Sequence, residues 1–247
     1  MLVLALLMLA AFVSGVLNAI AGGGAFITFS ALLLAGMMPV SANASSTVAL
    51  FPGQAASTWA YRANIRSVEE VNVAAFVAIS VVGGGLGAIL LIVTPNAVFA
   101  GLVPWLLLFA TLVFAFGSYA RRLSDRLRLG GRGVLVVQFV ISVYGGYFGG
   151  GIGLLMLAAL TLFGMRDLHA MNGLRILLAT LMNAAAVATF VLSGAVSWTE
   201  TAAMAIAAVG GGYAGALAAK RVDPVLLKRL IIGIGAALTV YFFWIRH

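Results

Sequence analysis

The chain has 247 residues, of which 64% are hydrophobic and 8% are charged, whereas soluble domains carry roughly 45–50% apolar and about 25% charged residues. This composition excludes a soluble globular domain, a disordered chain and a nucleic-acid binder, and it identifies lipid as the solvent for most of the sequence. Fourteen Lys and Arg against six Asp and Glu give a net charge of +8, and these charges interrupt apolar runs, where they signal membrane orientation. No cysteine is present, which excludes disulfides and cysteine nucleophiles.

Apolar stretches follow one another along the whole chain. A spanning helix needs roughly 20 apolar residues, so six stretches have the length of single spans, while the first and the fifth are too long. Each overlong stretch contains a glycine triplet, Gly22-Gly23-Gly24 or Gly149-Gly150-Gly151. The first stretch lacks the basic segment of a signal peptide, so we expect it in the mature protein. The stretches are 1–38, 43–61, 71–93, 97–119, 133–165, 171–192, 200–219 and 225–245.

The second half of the chain repeats the first. The matched features keep their order and stand 127 to 129 residues apart. They are the two glycine triplets, Gly36 with Gly164, Asn43 with Asn172, Gln54 with Asn183, Gly83-Gly84-Gly85 with Gly210-Gly211-Gly212, and Pro95 with Pro224. These matches predict a first membrane repeat at 1–120 and a second at 133–247, joined by a basic linker at 121–132.

The distribution of basic residues predicts the topology. If each overlong stretch crosses the membrane once, the basic residues divide eight to six between the two sides; if each returns as a hairpin, they divide thirteen to one. The positive-inside rule favours the hairpin, although the count does not distinguish two thin crossings from a re-entrant loop. We therefore predict an all-α polytopic membrane protein with two inverted repeats, each with a glycine-broken hairpin plus three transmembrane helices. Both termini lie outside the cytoplasm and the linker lies inside.

The glycine triplets are candidate binding elements. Inverted repeats with broken helices are typical of transporters, which bind their substrate near the midplane. A helix that begins inside the membrane points free N–H groups and roughly half a positive charge at its surroundings. The helix starts near Ala25 and Ile152 are therefore candidate anion sites. The alternative is that the glycines only permit tight bends and close helix contact.

Two further glycine pairs lie inside ordinary spans. Gly83-x-x-x-Gly87 and Gly211-x-x-x-Gly215 have the small-residue spacing that lets membrane helices approach closely. We interpret both as packing motifs and leave them out of the candidate site.

Polar residues within the spans complete the candidate substrate site. Gln54 and Asn183 match at mid-depth, and Arg175 is a cation within a predicted span. Each amide alternatively makes an ordinary interhelical hydrogen bond, and Arg175 alternatively serves as a cytoplasmic anchor with a snorkelling stem. The carboxylates all lie at or near span boundaries, and neither a Walker A sequence nor a zinc-protease motif occurs, so we expect no catalysis, no metal and no cofactor. The candidate residues are Asn18, Gly22, Gly23, Gly24, Asn43, Ser46, Gln54, Gly149, Gly150, Gly151, Asn172, Arg175 and Asn183.

The glycine motifs carry a family resemblance. The run Asn18-Ala19-Ile20-Ala21-Gly22-Gly23-Gly24, with the polar turn at 39–47, resembles the first repeat of the sulfite exporter TauE/SafE family, also called the 4-toluene sulfonate uptake permeases. The segment 144–153, followed by 169–175, resembles its second repeat. Many members are known only as probable membrane transporter proteins.

The resemblance implies a multi-pass carrier of the bacterial inner membrane for small sulfur anions. We therefore expect a secondary transporter or facilitator of a small anion, a sulfur oxyanion or organosulfonate such as sulfite. The alternative is a non-transporting membrane scaffold. The expected partners are the small anion and the lipid bilayer, without nucleic acid. The direction of transport, the coupling ion and the oligomeric state stay open, with a homo-oligomer allowed.

Overall fold

The computed structural model describes residues 2–21, 24–62, 72–116, 131–165, 167–218 and 224–245, and throughout these residues its regular structure is helical. The all-α prediction is therefore confirmed in this part of the chain. The helices are α1 (Leu2–Ala21), α2 (Ala25–Leu34), α3 (Pro39–Tyr61), α4 (Val73–Val93), α5 (Asn96–Phe116), α6 (Gly131–Tyr147), α7 (Ile152–Leu162), α8 (Leu168–Leu192), α9 (Trp198–Ala218) and α10 (Pro224–Ile245).

Among the described helices, three are long and apolar enough to cross a bilayer by length and composition. The spanning segments are Leu2–Ala19 in α1, Val73–Val93 in α4 and Ala170–Leu192 in α8. Large apolar side chains such as Leu192 and Ile206 are exposed on the outside of the helices. A soluble protein rarely exposes large apolar patches, so this exterior fits a lipid environment.

Both overlong stretches break at their glycine triplets into a longer and a shorter helix. In the first stretch α1 has 20 residues and α2 has 10; in the second α6 has 17 and α7 has 11. At a rise of about 1.5 Å per residue, α2 and α7 are roughly 15–17 Å long. The hydrocarbon core is about 30 Å thick, so neither short helix is long enough to cross it. This length favours the re-entrant alternative over two full crossings.

The two short helices end in the same way. Gly36 follows α2 and Gly164 follows α7, and both have a φ of +89°. After each glycine, the next amide donates to the carbonyl five residues earlier over 3.1 Å. This is a Schellman cap, which needs a left-handed residue and therefore favours glycine. The two glycines that match in the sequence thus cap their helices in the same way.

The glycine pairs inside the spans hold two helix pairs together, α4 with α6 and α1 with α9. A Cβ built on Gly83 would stand 2.7 Å from the Ser142 Cβ, and one on Gly215 would stand 2.7 Å from the Val16 Cα. Only a residue without a side chain permits such close approach. The interpretation of these pairs as packing motifs is confirmed.

Further helix contacts link the two halves of the chain. Helices α3 and α8 contact each other, and each also contacts a helix of the opposite half, α3 contacting α9 and α8 contacting α4. Helix α5 pairs with α10, where the Trp105 and Phe243 rings meet edge to face at 5.1 Å. The middle of α3 and α8 is therefore surrounded by helices from both halves.

Candidate substrate-binding site

A cavity of about 50 Å³ lies between α1, α3, α7, α8 and α9. Three of the residues predicted from the sequence, Asn18, Gln54 and Arg175, are in its wall. A space that holds one water needs on the order of 10–15 Å³, so the cavity has room for roughly three or four water-sized groups. Its size, and the four polar side chains in its otherwise apolar wall, suit a small polar ligand.

Arg175 contributes the positive charge of this wall. It lies on α8, and only 5% of its surface is exposed. A snorkelling anchor would extend its charged end to the membrane surface, whereas this side chain is enclosed by the protein and borders the cavity. The guanidinium is planar and offers several N–H donors, which match the oxygens of an oxyanion.

The two matched amides meet directly between α3 and α8. The Asn183 Nδ2 donates to the Gln54 Oε1 over 2.7 Å. Gln54 accepts through its oxygen in this bond, and its amino group supplies donors beside the cavity that Gln54 lines. An amino group donates hydrogen bonds, so Gln54 presents the polarity that an anion requires.

Two threonines support the amide pair, and neither is among the site residues predicted from the sequence. The Thr58 and Thr180 hydroxyl oxygens are 2.7 Å apart. The Thr180 hydroxyl also donates to the backbone carbonyl of Gln54 over 3.4 Å. Their positions carried a signal, since Thr58 follows Gln54 by four residues and Thr180 precedes Asn183 by three. Residues three or four apart lie on the same helix face.

Among the described residues, one of the two expected helix starts reaches the cavity. Ile152 and Gly153, the first residues of α7, line it, whereas α2 contributes no residue to its wall. Gly24, the residue before α2, is buried, and a Cβ on it would collide with the Ser14 backbone. Gly24 thus permits close helix packing, which was the alternative to anion binding. Gly22 and Gly23 lie outside the described residues.

Comparison with known proteins places this architecture in a family. The family model described as Sulfite exporter TauE/SafE matches residues 7–242. The chain belongs to this family. The recognition made from the glycine motifs is therefore confirmed, and membership places the protein among membrane transporters.

Several relatives of this TauE/SafE protein cover almost its full length. "Probable membrane transporter protein ORF9" of Sinorhizobium sp is 32% identical over 91% of the chain and 88% of its own length. A "Probable membrane transporter protein" of Haemophilus influenzae is 31% identical over 93% and 90%. "Probable membrane transporter protein YfcA" of Escherichia coli is 26% identical over 100% and 91%. No solved structure shows significant similarity to the chain.

Three other candidates of the TauE/SafE protein lie away from the cavity. The Asn43 amide donates to the Tyr147 carbonyl over 3.1 Å, tying the start of α3 to the end of α6. The Ser46 hydroxyl lies 2.6 Å from the Thr28 hydroxyl. Asn172 is half-buried on α8 and does not line the cavity. The first two residues therefore make the interhelical bonds that were the alternative to substrate binding.

The second glycine triplet is set among aromatic rings rather than in the cavity wall. Gly149 and Gly151 both have a φ of +74°, so they form the left-handed turn between α6 and α7. The Gly150 carbonyl accepts from the Tyr144 hydroxyl over 2.9 Å, and a Cβ on Gly150 would stand 2.6 Å from the Phe26 ring. The triplet positions the start of α7 without itself lining the cavity.

Proposed function

We propose that this TauE/SafE protein is a secondary transporter or facilitator that carries a small anion and holds it beside Arg175. The observation that carries the proposal is a buried guanidinium on the wall of a small cavity, between helices from both halves of the chain. The proposed substrate class is a sulfur oxyanion or organosulfonate such as sulfite, and the family description, which names sulfite, supports it.

Neutral donors complete the proposed anion site. Gln54, whose amide carries N–H donors, and Ile152 and Gly153 at the start of α7 line the same space as Arg175. Dehydrating an anion is costly unless hydrogen-bond donors replace its water, and a helix N-terminus provides donors together with a partial positive charge. One cation and several neutral donors can therefore hold an anion and still release it.

The proposed architecture is a pair of inverted repeats around this site. The pairing of α1 with α9 is repeated by α6 with α4, and the pairing of α3 with α9 is repeated by α8 with α4. The equal caps at Gly36 and Gly164 add local support. In such carriers, one repeat rocks against the other to expose a fixed midplane site to either side.

Transport in proteoliposomes tests the proposed function. Vesicles that contain the purified wild-type protein are loaded with sulfite, sulfate, methanesulfonate, 4-toluenesulfonate or chloride, and the release of each anion is compared with that from protein-free vesicles. We expect selective release of at least one sulfur anion. Release equal to the protein-free level for the whole panel would contradict the proposal and favour the alternative, a non-transporting membrane scaffold.

Thiol labelling tests the proposed orientation in the bacterial inner membrane. The chain has no cysteine, so single cysteines introduced by Ser124→Cys and His247→Cys are unique reporters. Both positions lie outside the described residues. We expect an impermeant reagent added to intact cells to modify the His247→Cys variant and not the Ser124→Cys variant. Modification of both from one side would contradict the inverted arrangement.

A further inference from the structure

Gly53 is a glycine in the interior of α3, on the wall of the cavity. Glycine is less favourable than alanine inside a helix. Two structural reasons commonly retain it there, a close helix contact or a backbone conformation that other residues avoid.

Neither reason applies to Gly53. A Cβ built on it has one heavy atom within 4 Å, the Ala208 carbonyl oxygen at 3.6 Å, which is an ordinary van der Waals contact. Its φ is not positive. At Gly15, in contrast, a Cβ would collide with the same Ala208 carbonyl. The helix packing thus requires glycine at position 15 and tolerates a larger residue at position 53.

The room left by Gly53 belongs to the cavity. Ala208 and Gly212 of α9 lie across from it and line the same space, and Gln54 follows it in the chain. With room for roughly three or four water-sized groups, the cavity would lose about one of them to a single methyl group.

We infer that Gly53 sets the upper size limit of the transported anion, because its missing side chain is space that the substrate occupies. The inference rests on the proposed function, since it assumes that the cavity holds the substrate. It makes Gly53 a specificity-determining residue that needs no polar contact with the anion.

In the second half of the chain, the position that matches Gly53 carries a large side chain. Met182 of α8 stands 129 residues after Gly53, the offset that also separates Gln54 from Asn183. It is 0% exposed, and its Cγ would lie 2.6 Å from a Cβ built on Gly84. A methionine at the matched position therefore fills the matching space between α8 and α4.

Size-graded variants test the inference. Gly53→Ala and Gly53→Met are compared with wild type for the transport of sulfite, methanesulfonate and ethanesulfonate in proteoliposomes. Gly85→Ala is the matched control, because its Cβ also makes only an ordinary contact, 3.9 Å from the Ala185 Cβ, and lies outside the cavity wall. The melting temperature of each monodisperse variant is measured alongside.

We expect Gly53→Ala to lower the transport of the largest anion that wild type carries by roughly tenfold or more, the usual effect of one methyl group in a fitted pocket. Its melting temperature should equal or exceed that of wild type, since alanine favours the helix. Gly53→Met should carry none of the three anions, and Gly85→Ala should behave as wild type.

Three results would overturn the inference while the proposed function stands. They are unchanged transport by Gly53→Ala, transport by Gly53→Met, or a fall in the melting temperature of Gly53→Ala that accompanies the loss of transport. If Gly53→Met does not purify as a monodisperse protein, Gly53→Ala decides alone. Wild-type protein that carries none of the sulfur anions in either panel would instead count against the proposed function. If wild type carries only sulfate or 4-toluenesulfonate, the variants are compared with that anion.

Discussion

Matched positions in the two halves of the chain surround an open space in one half and a filled space in the other. We call these two places the cavity side and the filled side. Between α3 and α9, the missing side chain of Gly53 leaves room for a cavity that Arg175 and Gln54 border. Between α8 and α4, the side chain of Met182 occupies the corresponding place. The two halves share their helix order and the caps after their short helices, so the difference at this place lies in the side chains.

The polar groups of the two sides also differ in their partners. On the filled side, the buried Gln138 amide donates to the Ser80 hydroxyl over 2.9 Å and to the Ser142 hydroxyl over 3.2 Å. On the cavity side, the residues 127 positions before Gln138 and Ser142 are Ala11 and Gly15. Polar groups on the filled side thus bond to one another, whereas on the cavity side Gln54, which accepts from Asn183, also lines a space that a ligand can enter. Matched positions in the two halves therefore differ in their packing, and within the described residues we place the candidate site at the cavity.

Loss of the buried cation should have the largest effect on this comparison. We expect Arg175→Gln to weaken anion binding by on the order of 10- to 100-fold, because a hydrogen bond to a charged group contributes about 1.5–3 kcal/mol. The anion affinity of Arg175→Lys should lie between those of wild type and Arg175→Gln, since lysine keeps the charge and loses the planar guanidinium. Anion affinity in purified variants measures this.

Arg132→Gln is the control for the cation, because Arg132 is exposed at the start of α6. It should bind as wild type does. Wild-type affinity in Arg175→Gln would show that the guanidinium does not hold the anion and that the neutral donors suffice.

Opening the filled side should cost stability and spare transport. Met182→Ala removes a side chain that is 0% exposed, and such truncations in packed interiors cost about 2–5 kcal/mol. We expect a lower melting temperature with transport close to that of wild type. Met8→Ala, at an exposed site on α1, should change neither. Loss of transport in a folded Met182→Ala protein would mean that the filled side takes part in binding.

Replacing amides should distinguish the cavity side from the filled side with the smallest of the expected effects. Gln54→Leu and Asn183→Leu should impair transport more than folding, since a mispaired buried polar group costs about 1–3 kcal/mol. Gln138→Leu, on the filled side, should lower the melting temperature and leave transport unchanged. Equal behaviour of the Gln54 and Gln138 variants in both measurements would remove the distinction between the sides.

Periodicity and matched glycines predicted much of the fold from the sequence. The breaks after α1 and α6 and the packing motifs follow from the local spacing of glycines, and the shared offset of 129 residues matches Gln54 with Asn183. The hydrogen bond between these two amides did not follow from spacing, because it needs α3 and α8 to be in contact.

The cavity itself was beyond sequence reasoning. It depends on which helices face one another, as in the case of Gly53, whose free space is defined by the distant Ala208 carbonyl. The burial of Arg175 likewise comes from the packing around α8 rather than from its position in the chain. The start of α2 looks like that of α7 in sequence, but it packs against Ser14 and stays away from the cavity.

Protection of a single thiol tests most directly whether the anion occupies the cavity. Ser57 lines it, and its hydroxyl donates to the Gly53 carbonyl over 3.0 Å, so Ser57→Cys places a unique thiol in the wall of this cysteine-free chain. The modification rate with a small methanethiosulfonate reagent is measured with and without the transported anion, beside Ser193→Cys at an exposed site. We expect the anion to slow modification of Ser57→Cys at concentrations near those that half-saturate transport, and to leave Ser193→Cys unchanged. Saturating transport without any protection of Ser57→Cys would contradict binding in this cavity.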